Sequence, residues 1–227
     1  METTIDNEKL TAIFQDACEG TQFNEVETNF TAFRDLKLKW CRSYNWIHFD
    51  VSDYLATAPE EVILSIAEVV MSRIAGNRVD YPEEVAEWLT SEDFVATNQP
   101  TYIHRCRGLK GPQGEFHDLN ESYQRLLDRE LIFEDRDIYL GWGPATTGRR
   151  TGFSSVLMKV VNMDGCLDNE NIPEDALDYA LYAQLAHISM GFDPSTTRRT
   201  EEYEELLNAY PEREEMEAKL KMYGIRL

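Results

Sequence analysis

The sequence has little positive charge and no long apolar run, and each shortage excludes a class of protein. Its 227 residues include 22 Lys or Arg against 42 Asp or Glu, which gives a formal net charge of −20. Such a surface repels phosphate backbones and anionic lipids, so we expect neither nucleic acid nor a membrane as partner. The sequence also lacks the run of ~18 apolar residues that a membrane-spanning helix needs.

Cysteines are few and far apart. Cys18, Cys41, Cys106 and Cys166 include no CxxC pair. Zinc ribbons and disulfide frameworks depend on closely spaced or paired cysteines, so we expect reduced thiols instead. The first residues also lack the basic and apolar regions of a signal peptide. Together these features predict a cytoplasmic protein.

Enough apolar residues remain for a folded core. Hydrophobic residues make up 42% of the chain and aromatic residues 11%, which is sufficient for a globular domain despite the charge. Alternating apolar residues predict strands at 46–51 and 138–142, and the apolar run at 153–161 is expected to join the second of them in one sheet. Proline followed by acidic residues predicts helices starting at Pro59 and Pro173. The sequence thus predicts an α+β fold, with helices packed on a short mixed or antiparallel sheet.

Helix-breaking residues divide the chain near its middle. Asn98-Gln-Pro and the glycine-rich stretch that begins at Gly108 predict an irregular connector over residues 96–117. Residues 1–95 would then form an N-terminal region of helices and a strand, packed on the same body. Residues 118–227 would form the second region.

The two regions share a weak internal similarity. A strand, a Pro-Glu pair, an apolar helix and a glycine occur in this order at residues 46–76 and again at 153–191. This is either an old duplication or a recurrent arrangement of α and β elements. We favour the second interpretation, because the residues beyond Pro-Glu barely match.

The helix predicted at 173–190 carries the most site-like pattern in the chain. It is apolar on two faces, so we expect it to be the central helix. Alanines precede His187 along one face at spacings of three and four residues, while larger apolar residues follow the other face. An isolated histidine in such a helix is usually a satisfied core residue, but the small neighbours would leave room for a ligand to approach.

Several stretches between residues 137 and 224 follow one another in a recognisable order. They are Ile138-Tyr-Leu-Gly-Trp, Arg149-Arg-Thr-Gly-Phe-Ser-Ser, Pro173-Glu-Asp-Ala-Leu-Asp-Tyr-Ala-Leu-Tyr, Ala183-Gln-Leu-Ala-His, Tyr203 and Tyr210-Pro. This order resembles the SprT-like and related small gluzincin zinc metallopeptidases. In that family a strand, a loop and an edge strand precede a proline-led helix that carries the motif HExxH. The resemblance implies a small gluzincin-like fold for residues 118–227.

The family's motif has a chemical reason for its spacing. Two histidines four residues apart lie on one helix face and share a zinc ion, and the glutamate is the general base for the metal-bound water. The resemblance places the first ligand at Ala183, the base at Gln184 and the second ligand at His187. The third falls at Thr200, with Arg199 the next nearest position. Only His187 keeps a metal-binding side chain, so the family's hydrolytic mechanism cannot operate at these residues.

Basic residues are expected beside the former zinc site. If the resemblance holds, Arg149, Arg150 and Arg199 line the mouth of the cleft together with Tyr203, and this mouth would suit an acidic peptide or a carboxylate. The alternative, which we favour, is that these arginines pair with the abundant surface glutamates.

Three functions are compatible with this pattern. The leading hypothesis is a catalytically degenerate, non-enzymatic protein that binds or scaffolds a peptide or protein partner and needs no cofactor. The second is a metal-dependent hydrolase with a rebuilt site, in which His187 and carboxylates drawn from Asp193, Glu201, Glu202 and Glu205 hold zinc or another divalent ion. The third is a structural subunit of a larger assembly, with the aromatic-rich segment 23–49 as its interface. The oligomeric state is left open.

Overall fold

A computed structural model describes residues 4–147, 150–195 and 199–226, and these form eight α-helices and six β-strands. The helices are α1 (Asn7–Ala17), α2 (Glu60–Ile74), α3 (Glu83–Leu89), α4 (Glu92–Arg105), α5 (Leu119–Asp128), α6 (Glu174–Ser189), α7 (Thr200–Asn208) and α8 (Arg213–Met222). The strands are β1 (Glu25–Thr31), β2 (Leu38–Ser43), β3 (Trp46–Ser52), β4 (Tyr139–Trp142), β5 (Gly152–Ser155) and β6 (Val160–Met163). The predicted α+β class is confirmed. Within the described residues, no helix combines the length and apolar character needed to cross a membrane.

The chain divides into two compact units, each with its own small mixed sheet. The first unit comprises residues 1–94 with 193–197, and the second comprises residues 95–192 with 198–227. Each sheet has three strands, in the order β1-β3-β2 in the first unit and β4-β6-β5 in the second. In both, the first strand runs parallel to the middle one and the remaining strand runs antiparallel to it.

The parallel strand pairs of the two sheets also share their register. Glu25 pairs with Trp46 and Tyr139 pairs with Val160, a separation of 21 positions in each case. In both units a helix precedes three strands, and a short 3-10 turn and a longer helix follow them. The same topology, with the same offset in the parallel pair, favours duplication of one module over a recurrent arrangement of elements.

Local capping signals explain where the helices of both modules begin. Asp6 precedes α1 and Asp118 precedes α5, and each carboxylate accepts a hydrogen bond from a backbone N–H of the first turn. Pro59 and Pro173 occupy the positions before α2 and α6, and two acidic residues follow each of them at the positive end of the helix dipole. The helix starts predicted at these prolines are therefore confirmed.

The predicted connector over residues 96–117 is wrong in its first part, because α4 continues to Arg105 with Pro100 inside it. Tertiary contacts made by side chains of this segment offset the cost of a proline inside the helix. Tyr102 is buried, and the Gln99 amide donates to the carbonyl oxygens of Asp137 at 2.6 Å and Met158 at 2.9 Å. Tertiary contacts here override the local helix-breaking signal.

The apolar run at 153–161 is two strands rather than one. A turn over residues 156–159 separates β5 from β6, and Lys159 adopts a left-handed backbone conformation with φ of 48°. β6 therefore lies in the middle of the sheet, and β4 pairs with it rather than with β5. β5 is left at the sheet edge, where it faces the candidate site.

Candidate functional site

A cavity of about 1010 Å³ lies in the second unit. Its wall is formed by β5, by the end of α6 that carries His187, by α7 and α8, and by the segment that follows α8. These elements are held around α6, which packs against α5, α7, α8 and β5. The central position predicted for this helix is confirmed, since nearly all of its residues are buried.

The alanine face of α6 is filled by the chain itself. Ala176, Ala180 and Ala183 are completely buried in the core of the second unit. The expectation that these small residues leave room for a ligand is therefore wrong. Only the next part of the helix, with Gln184 and His187, lines the cavity.

Gln184 occupies the position where the resemblance places a general base. Its side chain is 7% exposed, and its Nε2 donates a hydrogen bond to Oγ1 of the buried Thr151 at 3.0 Å. A neutral amide has no basic lone pair at physiological pH, so it cannot take a proton from water. The contact instead ties α6 to the residue that precedes β5.

His187 forms a stacked pair with Tyr203 on the cavity wall. The ring centroids are 4.0 Å apart and the ring planes differ by 10°. The Tyr203 hydroxyl donates to the carbonyl oxygen of Ala183 at 3.3 Å, so the tyrosine bridges two turns of α6. Burial lowers the pKa of His187 and raises the pKa of Tyr203, so both rings are neutral at physiological pH.

The remaining predicted positions are not all at the cavity. Thr200 begins α7, is exposed, and is not part of the cavity wall. Arg199 donates to the carbonyl oxygen of Met190 and pairs with Glu202, so the surface ion-pair interpretation applies to this arginine. Arg150 does line the cavity, whereas Arg149 lies outside the described residues.

The carboxylates needed for a rebuilt metal site are not gathered in the part of the chain that the structure describes. There, no three His, Cys, Asp or Glu side chains are close enough to share an ion. Glu201, Glu202 and Glu205 do not line the cavity.

Three basic side chains that the sequence analysis did not single out also line the cavity. They are Arg213 and Lys221 on α8 and Arg226 beyond it. The Thr151 N–H donates to the Arg226 carbonyl at 3.2 Å, which brings the segment after α8 alongside the start of β5. This pairing joins residues that are 75 positions apart in the sequence. Little in the sequence indicated these cavity residues, because residues 213–226 contain four basic and three acidic side chains.

No protein-family model, curated protein or solved structure matches this chain. Its function is therefore argued from the geometry of the cavity.

Proposed function

We propose that this chain is a cytoplasmic, catalytically degenerate relative of the small gluzincin metallopeptidases that binds a peptide segment in the cavity of the second unit without cleaving it. One observation carries the proposal. The positions that correspond to the family's base and second ligand, Gln184 and His187, face a cavity of about 1010 Å³. A cavity of this size accommodates a ligand of several residues.

The side chains at these positions support binding rather than hydrolysis. Ala183 offers only a buried methyl group, and Gln184 offers an amide that is already hydrogen-bonded to Thr151. His187 is a single neutral imidazole stacked on Tyr203. This set supplies neither a base nor two neighbouring ligands for a metal ion.

The position of β5 indicates how a peptide would lie. β5 is the edge strand of its sheet, and residues 152–154 line the cavity. An extended peptide can add a strand to such an edge, with its backbone hydrogen-bonded to β5 and alternate side chains directed into the cavity.

A substitution that fills the cavity tests the proposal. We expect that peptides of about ten residues selected by the full chain from a random display library bind at least tenfold more weakly to S154W. Ser154 lines the cavity, so an indole at this position would occupy the space of a ligand side chain. Binding is measured by fluorescence anisotropy with each selected peptide.

The neighbouring residue provides a matched control. Ser155 lies on the same strand but does not line the cavity, so S155W should bind the selected peptides like the parent chain. Each peptide is also incubated with the chain, with and without added zinc, and analysed by mass spectrometry. Cleavage of a selected peptide, or equal loss of binding in both variants, would contradict the proposal.

The exposed strand β2 favours a second candidate function, that of a structural subunit. β2 is the edge strand of the first sheet, and its residues 39–43 are exposed. Trp40 is 44% exposed on this strand, and Tyr44, just after it, is 93% exposed. An exposed edge strand with aromatic side chains is a ready surface for pairing with another chain.

Sedimentation velocity at low and high salt tests this second candidate. We expect the chain to sediment as a species heavier than its mass of 26.3 kDa, and W40D to restore the monomer because an aspartate disfavours strand pairing at that edge. F133D is the control, because Phe133 is 97% exposed but lies outside the strands. A parent chain that stays monomeric at every concentration would argue against assembly through β2.

A further inference from the structure

The wall of the cavity has a charge opposite to that of the whole chain. Among the described residues that line it are four cationic side chains and two carboxylates, namely Arg150, Arg213, Lys221 and Arg226 with Glu204 and Glu217. The chain as a whole has a formal net charge of −20. A concave surface with an excess of positive charge focuses its field on anions that approach it.

Both carboxylates of the wall are already occupied by one arginine. Arg213 donates from Nη2 to Glu204 at 2.9 Å and from Nε to Glu217 at 2.6 Å. Glu217 also accepts a hydrogen bond from the Tyr179 hydroxyl at 2.9 Å. Although burial alone would raise the pKa of Glu217, its hydrogen bonds with Arg213 and Tyr179 lower it, so this glutamate stays ionised and bound. Neither carboxylate is therefore available to the other three cations.

Arg150, Lys221 and Arg226 form no ion pair with any carboxylate in the described ranges. Arg150 and Arg226 are moreover directly paired residues of neighbouring extended segments. Like charges at paired positions repel each other, and an anion bound between them would remove this repulsion. The arrangement therefore favours a negatively charged ligand.

We infer that the cavity selects acidic peptide segments, whose carboxylates are received by Arg150, Lys221 and Arg226. This inference rests on the proposed peptide-binding function and specifies its ligand class. The guanidinium groups present paired donors that match a carboxylate, and Lys221 on α8 adds a point charge. An extended peptide on β5 would direct every second side chain toward these groups, so acidic residues at alternate positions fit best.

Three peptides of equal length test the ligand class. They alternate valine with glutamate, glutamine or lysine, and each is titrated against the full chain by fluorescence anisotropy at low and high salt. We expect the glutamate peptide to bind at least tenfold more tightly than the glutamine peptide at low salt, and this preference to shrink at high salt. The lysine peptide should not bind measurably.

Charge-reversal variants test whether the preference for the glutamate peptide arises in the cavity. We expect K221E and R226E each to weaken binding of the glutamate peptide about tenfold, and to change binding of the glutamine peptide less than about twofold. R136E is the control with the same change in net charge, because Arg136 is exposed and does not line the cavity. It should leave the affinity for the glutamate peptide unchanged within about twofold.

The possible outcomes distinguish a failure of the acidic-ligand inference from a failure of the peptide-binding function on which it rests. If the glutamate and glutamine peptides bind equally, and S154W abolishes both, then the cavity binds peptides but the inference of acidic ligands is wrong. If none of the three peptides binds and the display library yields no ligand, the proposed function itself fails. If inorganic phosphate at millimolar concentration displaces the glutamate peptide from the parent chain, the site is one for free anions and the peptide class is wrong.

Discussion

Replacing Asp178 with alanine is expected to lower the free energy of unfolding by about 3 kcal/mol. Asp178 is 3% exposed in the middle of α6. Its carboxylate accepts a hydrogen bond from Ser122 Oγ at 2.5 Å and two from the Arg125 guanidinium, at 2.8 and 2.9 Å. Removing it leaves the Ser122 hydroxyl and a partly buried cation without their partner, which is the costly way to break a buried ion pair.

The size of this effect follows from what remains around Arg125. Losing one partner of a buried pair typically costs about 3–5 kcal/mol. The Arg125 side chain is 32% exposed and has Glu174 within 3.5 Å, so water and a second carboxylate partly compensate and the lower end of the range is expected. Urea denaturation followed by circular dichroism gives the change directly.

The same helix supplies a matched control for the Asp178 prediction. Asp175 is also an aspartate of α6 with a cationic partner, Lys219, but its side chain is 47% exposed. An exposed pair contributes little, so D175A should cost less than about 1 kcal/mol. Equal losses in the two variants would show that Asp178 is not a specific anchor of α6.

Helix starts could be predicted from the sequence because their signals are local. An aspartate that caps a first turn, or a proline followed by acidic residues, acts within a few positions of itself. Pro59 and Pro173 are such residues, and α2 and α6 begin directly after them, as predicted. The identity of the central helix also followed from a local property, its apolar residues on two faces.

Strand pairing could not be predicted, because it depends on contacts between distant residues. β1 was not recognised as a strand, and its parallel partner β3 begins 21 positions later. The turn that splits residues 153–161 depends on a left-handed Lys159, a conformation that the residue type does not suggest. Without the two strand orders, the shared topology of the units could not be seen either.

The sequence placed four residues of the candidate site at the cavity, two of them on α6 and two, Arg150 and Tyr203, on other segments. Gln184 and His187 face the cavity because residues on a helix have fixed relative positions. Thr200 was placed by its spacing from Tyr203 on α7, and this spacing does not fix its position relative to α6, which is a separate helix. Lys221 lines the cavity from α8, and Arg226 lines it where it pairs with residues 150 and 151. No local sequence pattern predicts this long-range pairing.

Introducing the metallopeptidase motif that the proposed relationship implies, with the double substitution A183H and Q184E, is expected to destabilise the chain by about 2 kcal/mol without creating a stoichiometric zinc site. Ala183 is completely buried, so an imidazole at this position overpacks the core. The glutamate loses the amide N–H that Gln184 donates to Thr151. Thr200, the position proposed for a third ligand, is not part of the cavity wall, and the carboxylates that line it, Glu204 and Glu217, are held by Arg213. We therefore expect no third protein ligand to complete a zinc site.

Metal analysis after dialysis and urea denaturation measure the two expected effects of this double substitution. S189H serves as the control, because Ser189 is an exposed position of the same helix where a histidine has room. It should leave stability within about 0.5 kcal/mol of the parent chain and should bind no zinc. One equivalent of zinc in the double variant, lost again on adding His187→Ala, would show that the second unit still holds the geometry of a metallopeptidase. On the proposed function, the absence of zinc would then be due to the side chains alone, whereas a destabilised, zinc-free variant would show that the packing around α6 also excludes the metal.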